Sequence, residues 1–211
     1  MNRSKPSVLL ASNNAHKHRE LRDIFEMSDC PVELMLPREI GIRVEPAEDA
    51  DSYLGNARIK ARAFAQAAAQ RGVQVWVLAD DSGLEVDALG GRPGLHSSRY
   101  HQQAPAGDGC QALLEELADV PDPNRTARFR AVIVLIDPAG CEHVFEGVCE
   151  GRISHEKRGA NGFGFDPVFV TGDGRTMAEL PAEAKHRISH RGIAARQAVE
   201  LIRRVNDETL A

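Results

Sequence analysis

The stretch VWVLADDSG, residues 75–83, ends an apolar run with two adjacent carboxylates. Val75 to Ala79 has the length and composition of a buried β-strand. Asp80 and Asp81 follow directly, and Ser82-Gly83 is typical of a turn. Charges at the end of a buried strand must be solvated, paired or bound to a cation. The stretch therefore predicts a strand that leads into an acidic loop. The rest of the sequence has to show whether the two aspartates are solvated, paired or bound to a cation.

Strands and helices alternate on either side of this stretch. The pattern predicts further strands at 7–12, 32–36, 128–136 and 141–153, and helices after residue 17, from Ser52 to about Arg71, at 109–118 and at 189–205. The turn DPAG joins two of these strands into a long hairpin. Interleaved strands and helices with one hairpin indicate the α/β class with a mixed sheet, and we expect a single domain over residues 1–211.

Composition limits the possible partners. The chain has 211 residues and a formal net charge of −5, which does not favour DNA or RNA, so a phosphate ligand would need local cations or a metal. The four cysteines form no CxxC pair, and we expect them to be reduced and mostly buried. No apolar run reaches signal-peptide or membrane length, so we expect a soluble, cytoplasmic protein without a membrane partner.

Two segments near the predicted strand ends could bind phosphate and metal. SNNAHK, Ser12 to Lys17, joins a strand to a helix, where free N–H groups and a lysine suit an anion. Asp80 and Asp81 suit Mg²⁺, and one carboxylate could act as general base on a water. Both segments are also compatible with ordinary solvated turns. Haloacid-dehalogenase-like phosphatases also place aspartates at a strand end, but with Asp-x-Asp spacing.

Two later segments could bind a nucleotide base. GANGFGFDPVF, residues 159–169, has glycines that allow close backbone approach and phenylalanines that could stack on a base. AKHRISHRG, residues 184–192, supplies the donors Lys185, His190 and Arg191, whereas His186 and Arg187 are expected to be solvated. Read in isolation, these segments are more typical of a glycine-rich loop with core phenylalanines and of a basic, solvated helix end.

The order of the four motifs is more specific than any one of them. LLASNNAHKHREL, ADDSGLEVDALGGRPGLHSSRY, NGFGFDPVF and ELPAEAKHRISHRGIAARQA together closely resemble the inosine triphosphate pyrophosphatase family, also called dITP/XTP pyrophosphatases or Ham-type house-cleaning enzymes. The resemblance covers nearly the whole chain. It implies an elongated α/β fold of two lobes with the active site in the cleft between them, and a homodimer. It also implies Mg²⁺-dependent hydrolysis of ITP, dITP and XTP to the monophosphate and pyrophosphate.

The resemblance also implies roles for individual residues. Asp81 corresponds to the catalytic base and to a metal ligand, and Glu48 to the other metal ligand. The substrate-binding positions are Ser12, Asn13, Asn14, Ala15, His16, Lys17, Asn56, Lys60, Ser82, Phe163, Gly164, Phe165, Asp166, Lys185, His190 and Arg191. Two residues depart from the family pattern: His16 stands where many members have glycine, and Gly55 where members often have glutamate.

Two other functions stay open at the level of sequence. A Maf-like nucleotide pyrophosphatase would combine similar metal chemistry with pyrimidine or modified bases, but the pair NGFGFDPVF and SHRG favours purines. A sensor that binds nucleotides without hydrolysis would need only the loops and the cations. Glu48 and Asp81 argue against a sensor, because carboxylates beside a polyanion are expected mainly with a catalytic metal.

Overall fold

The computed structural model describes residues 5–28, 30 and 32–209. Its chain divides into two compact units. The first unit contains the described residues of 1–81, 132–146 and 191–211, and the second contains residues 82–131 and 147–190.

Within the described residues, six strands form one sheet, and six α-helices accompany it. The strands are β1 (Ser7–Leu10), β2 (Glu33–Met35), β3 (Trp76–Val86), β4 (Thr126–Ile136), β5 (Glu142–Ile153) and β6 (Phe169–Val170). The helices are α1 (Ala15–Glu26), α2 (Tyr53–Ala69), α3 (Ser97–Gln103), α4 (Gly109–Glu116), α5 (Ala182–Ile188) and α6 (His190–Thr209). The strand order is β2-β1-β3-β4-β5-β6, with β1 parallel to β2 and β3, and β5 antiparallel to β6. The predicted mixed α/β sheet is confirmed.

The first unit buries both faces of its part of the sheet. Val8 and Leu10 of β1 pack in one apolar cluster with residues of α1 and α6. Leu9, which points the other way, packs with Ala61 and Phe64 of α2. Successive side chains of a strand point to opposite faces, so a strand covered on both sides is apolar throughout. This burial explains the apolar run that precedes Asp80.

The helix ends of the first unit follow the sequence closely. Asn14 caps α1, and its Oδ1 accepts the N–H groups of His16 and Lys17 at 2.9 and 3.2 Å. Ser52 caps α2 as predicted, and its Oγ accepts the Gly55 N–H at 3.1 Å. Such side-chain caps satisfy N–H groups that have no partner within the helix and typically contribute about 1 kcal/mol each.

The second unit has its own core, in which the rings of Phe129 and Phe169 lie 4.5 Å apart. Arg125 is buried beside this core and carries no carboxylate partner among the described residues. Instead its guanidinium donates to the carbonyls of Leu117, Ile153 and Ser154. These hydrogen bonds give buried backbone carbonyls a partner that they would otherwise lack.

The structure corrects three sequence predictions. The Asp80 segment is not a loop, because β3 continues through both aspartates to Val86. The charges are tolerated within the strand because basic side chains pair with them, as described below. A separate short helix, α5, precedes α6, and it turns His186 into the interior, so the prediction that His186 is solvated is wrong.

The prediction that the cysteines are mostly buried is confirmed. Cys30, Cys110 and Cys149 are buried thiols, Cys141 is exposed, and none of them forms a disulfide with a described partner. Over the described ranges, no helix has the length and apolar character that crossing a membrane requires.

Candidate functional site

The two aspartates of β3 have different surroundings within the first unit. Asp80 is buried, with 1% of its side chain exposed, and its Oδ2 lies 2.8 Å from Lys17 Nζ. The same oxygen accepts Nε and NH2 of Arg191 at 3.2 and 3.1 Å. Asp80 Oδ1 has no hydrogen-bond partner in the part of the chain that the structure describes. Asp80 is therefore a buried anion paired with two cations through one oxygen.

Lys17 is held in place by its position at the start of α1. The Asn14 cap fixes its backbone N–H, and its Nζ donates to the carbonyl of Asp80 at 3.0 Å. Burial lowers the pKa of Lys17, and the charges of Lys60 and Arg191 act in the same direction, whereas Asp80 opposes them. The ammonium group is thus a partly desolvated cation whose location depends on Asp80.

Glu20 completes this network and was not predicted from the sequence. Its Oε2 accepts NH1 of Arg191 at 2.5 Å, and both side chains are buried. The signal was present, because Glu20 lies next to Leu21 and four residues before Ile24 on the buried face of α1. A carboxylate on an apolar helix face requires a partner, although the sequence does not say which one.

Asp81 lies in a second pairing on the opposite side of β3. Its Oδ1 accepts Lys60 Nζ at 2.9 Å, and its Oδ2 accepts the Asn56 amide at 3.4 Å. Lys60 Nζ also donates to Glu48 Oε2 at 2.6 Å. Asn56 Oδ1 in turn accepts the Ala50 N–H at 3.0 Å. The structure thus brings together Glu48, Asn56, Lys60 and Asp81, all of which the resemblance implies for the site.

The pKa values of the two aspartates shift in opposite directions because their surroundings differ. Burial alone would raise the pKa of Asp80, but the charges of Arg191 and Lys17 hold that pKa well below its usual range. Burial raises the pKa of Asp81, and the charges of Lys60 and Lys17 only partly oppose this. Asp80 is therefore an anion at neutral pH, whereas Asp81 is the carboxylate better able to take up a proton.

The donor set fits a hard divalent cation. Glu48 Oε2 and Asp81 Oδ1 converge on one point, since both lie within hydrogen-bond distance of the same Lys60 nitrogen. No group of three or more candidate metal ligands occurs among the described residues. Two carboxylates suffice for Mg²⁺, which is usually held by one or two carboxylates together with substrate phosphates and water. The residues present thus suit Mg²⁺ bound together with a polyphosphate.

The predicted phosphate turn is largely exposed. Ser12 Oγ accepts the Asn14 N–H at 3.1 Å, and the Asn13 amide donates to the backbone carbonyl of Val44 at 3.2 Å. Ala15 and His16 are exposed in the first turn of α1. Small polar side chains here leave the turn accessible to an anion.

The Gly55 departure has a local explanation. A Cβ at this position would lie 2.5 Å from the Cβ of Ala50 and 3.1 Å from Ser52 Oγ. Because Ser52 caps α2 through the Gly55 N–H, a side chain here would disturb the cap that begins the helix carrying Asn56 and Lys60. The local packing therefore favours glycine in this chain.

A second cluster of predicted residues lies within the second unit. Asp166 Oδ2 accepts the Phe163 N–H at 2.7 Å and forms a buried ion pair with Lys185. Lys185 Nζ also lies 5.3 Å from the centre of the Phe163 ring. Gly162 has φ +74, and a Cβ there would lie 2.0 Å from Asp166 Oδ2. The glycine thus allows the loop to wrap closely around the carboxylate.

The remaining predicted residues of the second unit have distinct positions. Phe165 is buried, with its ring centre 5.9 Å from that of Tyr100, so its side chain belongs to the core. The Gly164 carbonyl accepts Cys110 Sγ at 3.2 Å. His190 stacks on Phe129 at 4.7 Å with a 12° angle between the rings, and Ser82 is half-buried on β3. Phe163 is the half-buried phenylalanine of the loop.

Arg191 pairs with two buried carboxylates, and its predicted contact with the substrate stays a prediction. The sequence groups it with Lys185 and His190 as a donor to the base, but its guanidinium lies in the first unit and contacts Asp80 and Glu20. These two carboxylates engage Nε, NH1 and NH2, so the contacts indicate a residue that positions Asp80.

Comparisons with known proteins place this geometry in context. The model of the Ham1 family matches residues 8–201. The chain is 44% identical over 201 residues to a dITP/XTP pyrophosphatase of Opitutus terrae, covering 92% of this chain and 98% of the relative. It is 42% identical over 197 residues to one of Symbiobacterium thermophilum, covering 93% and 95%. The structure of a HAM1 protein from Coxiella burnetii is similar, with a TM-score of 0.79, 34% identity and coverage of 94% and 99%. The Staphylococcus aureus Ham1 protein gives a TM-score of 0.77, 33% identity and coverage of 93% and 98%.

Proposed function

The chain belongs to the Ham1 family and is a nucleoside triphosphate pyrophosphatase, and we propose that it hydrolyses ITP, dITP and XTP to the monophosphate and pyrophosphate with Mg²⁺. The observation that carries this proposal is Asp81, a carboxylate of raised pKa held between Lys60 and Asn56. A carboxylate beside two lysines suits proton transfer next to a polyanion.

Asp81 acts as the general base in this proposal. Its carboxylate accepts a proton from the attacking water, and the raised pKa strengthens it as a base relative to an ordinary aspartate. The Asn56 amide and the Lys60 ammonium hold the two oxygens of Asp81 in a fixed orientation. Water positioned by Asp81 then cleaves the link between the α and β phosphates.

Lys17 and Lys60 stabilise the negative charge that develops on the phosphates. Burial by itself lowers the pKa of a lysine, but the charges of Asp81 and Glu48 raise the pKa of Lys60, so its ammonium stays protonated at neutral pH. Lys17 is fixed by Asp80, which Arg191 and Glu20 hold in turn. Charges that are positioned before the reaction need no reorganisation during it.

Glu48 and Asp81 would hold Mg²⁺ together with oxygens of the substrate. The ion supplies charge neutralisation on the polyphosphate and a Lewis acid at the reacting oxygen. In a chain with a net charge of −5, a polyanion is bound by local cations rather than by the overall field.

For the base, we assign Phe163, Lys185 and His190. The half-buried Phe163 ring offers a stacking surface, and Lys185 and His190 offer donors to the O6 acceptor of hypoxanthine or xanthine. Adenine presents a donor at this position, which would leave the buried donors of the site unpaired. Such a mismatch can reject the wrong base by roughly 10⁴-fold. We further propose a homodimer, as the resemblance implies, and a cytoplasmic protein with one catalytic domain, as the chain length and the lengths of its apolar runs suggest.

The test is pyrophosphate release from ITP, dITP, XTP, ATP, GTP and dTTP with Mg²⁺ and with EDTA. The proposal expects strong release from the first three substrates only, lost in EDTA. Release mainly from dTTP would instead indicate a Maf-like nucleotide pyrophosphatase that acts on pyrimidine substrates. Tight ITP binding without release from any substrate would support the sensor instead.

A further inference from the structure

The first turn of α4 lies against the glycine-rich loop, residues 159–166, that we assign to the base. Cys110 is the second residue of α4 and is buried, with 4% of its surface exposed. Its Sγ donates to the backbone carbonyl of Gly164 at 3.2 Å. Cys110 belongs to none of the four motifs that carry the resemblance, and yet it contacts a residue of the predicted base site.

The thiol contact holds the backbone of the loop at Gly164. This residue lies in a turn and has φ +63, in the left-handed region that favours glycine. Within the described residues, Cys110 Sγ is the one donor to the Gly164 carbonyl. Gly164 is exposed whereas Cys110 is buried, so a ligand can reach the loop from the side away from the thiol. The start of α4 therefore supports the loop and leaves its outer surface accessible.

Two further contacts join the loop to α3 and α4. Asp108 caps α4 with its side chain, and its carboxylate also pairs with Lys157, just before the loop. The ring of Tyr100 in α3 lies 5.9 Å from that of Phe165 within the loop. These contacts hold the two helices beside the beginning of the loop and beside its end. The thiol contact is thus part of a packed arrangement and not an isolated approach.

The thiol remains a donor at neutral pH because it stays protonated. Burial raises the pKa of Cys110 to about 12, and the charges of Asp108 and Asp166 act in the same direction, against Lys157. The influence of Asp166 also shows that the thiol lies near the carboxylate that pairs with Lys185. A neutral S–H is a weak donor, so this contact adjusts the loop and does not determine the fold.

We propose that Cys110 is a positioning residue for the purine: its thiol holds the Gly164 backbone and thereby keeps the Phe163 ring in place for stacking on the base. Phe163 precedes Gly164 directly, and its own N–H donates to Asp166 Oδ2 at 2.7 Å. The ring is therefore fixed by one backbone contact on each side, and the loss of either contact lets it move. The inference rests on the proposed function, because it requires a base in this loop.

The role of Cys110 should concern the base and not the phosphates. The two lysines that we assign to the phosphates belong to the first unit, whereas Cys110 and the loop belong to the second. Removal of the thiol should therefore weaken the binding of a nucleotide and leave the binding of a polyphosphate without a base unchanged. A general disturbance of the protein would weaken both.

The experiment compares wild type with Cys110→Ala, Cys110→Ser and the matched control Cys149→Ala. Cys149 is also a buried thiol of the second unit, but its Sγ lies 3.9 Å from the carbonyl of the adjacent Glu150. Hydrolysis of ITP with Mg²⁺ gives kcat and KM, and inhibition by inorganic tripolyphosphate gives a Ki without a base. We expect Cys110→Ala to raise KM about fivefold, as for one neutral hydrogen bond, with kcat and Ki within about twofold of wild type. Cys110→Ser retains a donor, and it and Cys149→Ala should keep KM within about twofold.

The outcomes separate this inference from the proposed function. The same KM in Cys110→Ala and Cys149→Ala, an equal rise of KM and Ki in Cys110→Ala, or a KM in Cys110→Ser as high as in Cys110→Ala would each overturn the positioning role, while hydrolysis of ITP would stand. If no protein hydrolysed ITP, calorimetric titration of ITP would decide. Binding that is about fivefold weaker in Cys110→Ala alone would keep the positioning role and reject hydrolysis. If wild type neither hydrolysed nor bound ITP, both would fail.

Discussion

Arg191 binds one oxygen of Asp80 with two of its nitrogens, at 3.2 and 3.1 Å, although the residues lie 111 positions apart in the chain. Both side chains are almost fully buried. The same Asp80 oxygen also binds Lys17, so one carboxylate is paired with two cations in the interior of the first unit, and Glu20 supplies the second negative charge. This arrangement links the start of α6 to the lysine that we assign to the substrate phosphates.

Replacing Asp80 should therefore cost substantial stability. Asp80→Asn removes the buried counter-charge of Lys17 and leaves Arg191 with Glu20 alone, which is expected to lower the free energy of unfolding by about 3–5 kcal/mol. Arg187→Gln breaks an exposed ion pair and should cost at most about 1 kcal/mol. Urea denaturation at neutral pH measures both variants. Equal, small losses would contradict the role of Asp80 as counter-charge.

The stability difference between wild type and Asp80→Asn should depend on pH. The folded pKa of Asp80 lies below its ordinary value of 3.8, so the carboxylate contributes its full stabilisation above that value. The contribution is lost as the pH falls through the depressed folded pKa. Denaturation curves should therefore converge in strong acid, and a pH-independent difference would argue against this charge pairing.

Asp81→Asn should nearly abolish turnover with little change in fold. An amide cannot accept the proton from water, and the loss of a general base typically costs about 10²–10⁴-fold in rate. Steady-state hydrolysis of ITP, together with the thermal midpoint, measures both effects. Asp51→Asn, an exposed acid, is the matched control and should retain full activity. If folded Asp81→Asn retained its turnover, Asp81 would not be the general base.

Lys60→Gln should move the acid limb of the kcat/KM profile to higher pH. The positive charge of Lys60 lowers the pKa of Asp81, so removing that charge allows burial to raise the pKa further. Asp81 is then protonated, and inactive as a base, at a higher pH than in wild type. Lys157→Gln, a substitution within the second unit, should leave the limb unchanged. If the acid limb did not shift in Lys60→Gln, the group that titrates in this limb would not be Asp81.

Gly162→Ala should weaken substrate binding through the Asp166 loop. Gly162 has a positive φ, and the Cβ of an alanine here would lie 2.0 Å from Asp166 Oδ2. The substitution would therefore push the loop away from the Asp166–Lys185 ion pair. Gly174→Ala is the matched control, because φ is +86 there and nothing lies within 4 Å, so only the backbone cost of about 1–2 kcal/mol remains. We expect KM for ITP to rise at least tenfold in Gly162→Ala only. If Gly162→Ala and Gly174→Ala had the same KM for ITP, the Asp166 loop would have no part in recognising the base.

The sequence predicts the elements whose signals are local. Alanine-rich composition and the Ser52 cap place α2, apolar periodicity places α6, and the alternating residues of β1 pack on both faces of the sheet. These features depend on residues within a few positions of one another, so a pattern contains enough information to find them.

The remaining features depend on partners that are distant in sequence. The apolar run before Asp80 resembles a complete strand, but the pairing of both aspartates with cations lets β3 continue to Val86. The sequence groups Arg191 with its neighbours in the chain, and it does not show that Arg191 also pairs with Asp80 and with Glu20, 171 positions away. A buried charge shows in the sequence that a partner is needed, but not which residue provides it.

The most direct test of the account is identification of the products of ITP hydrolysis with Mg²⁺ by anion-exchange chromatography. We predict IMP and pyrophosphate in equal amounts, with both absent in Asp81→Asn and in EDTA. The formation of IDP and inorganic phosphate would show cleavage of the terminal link and contradict the assigned chemistry.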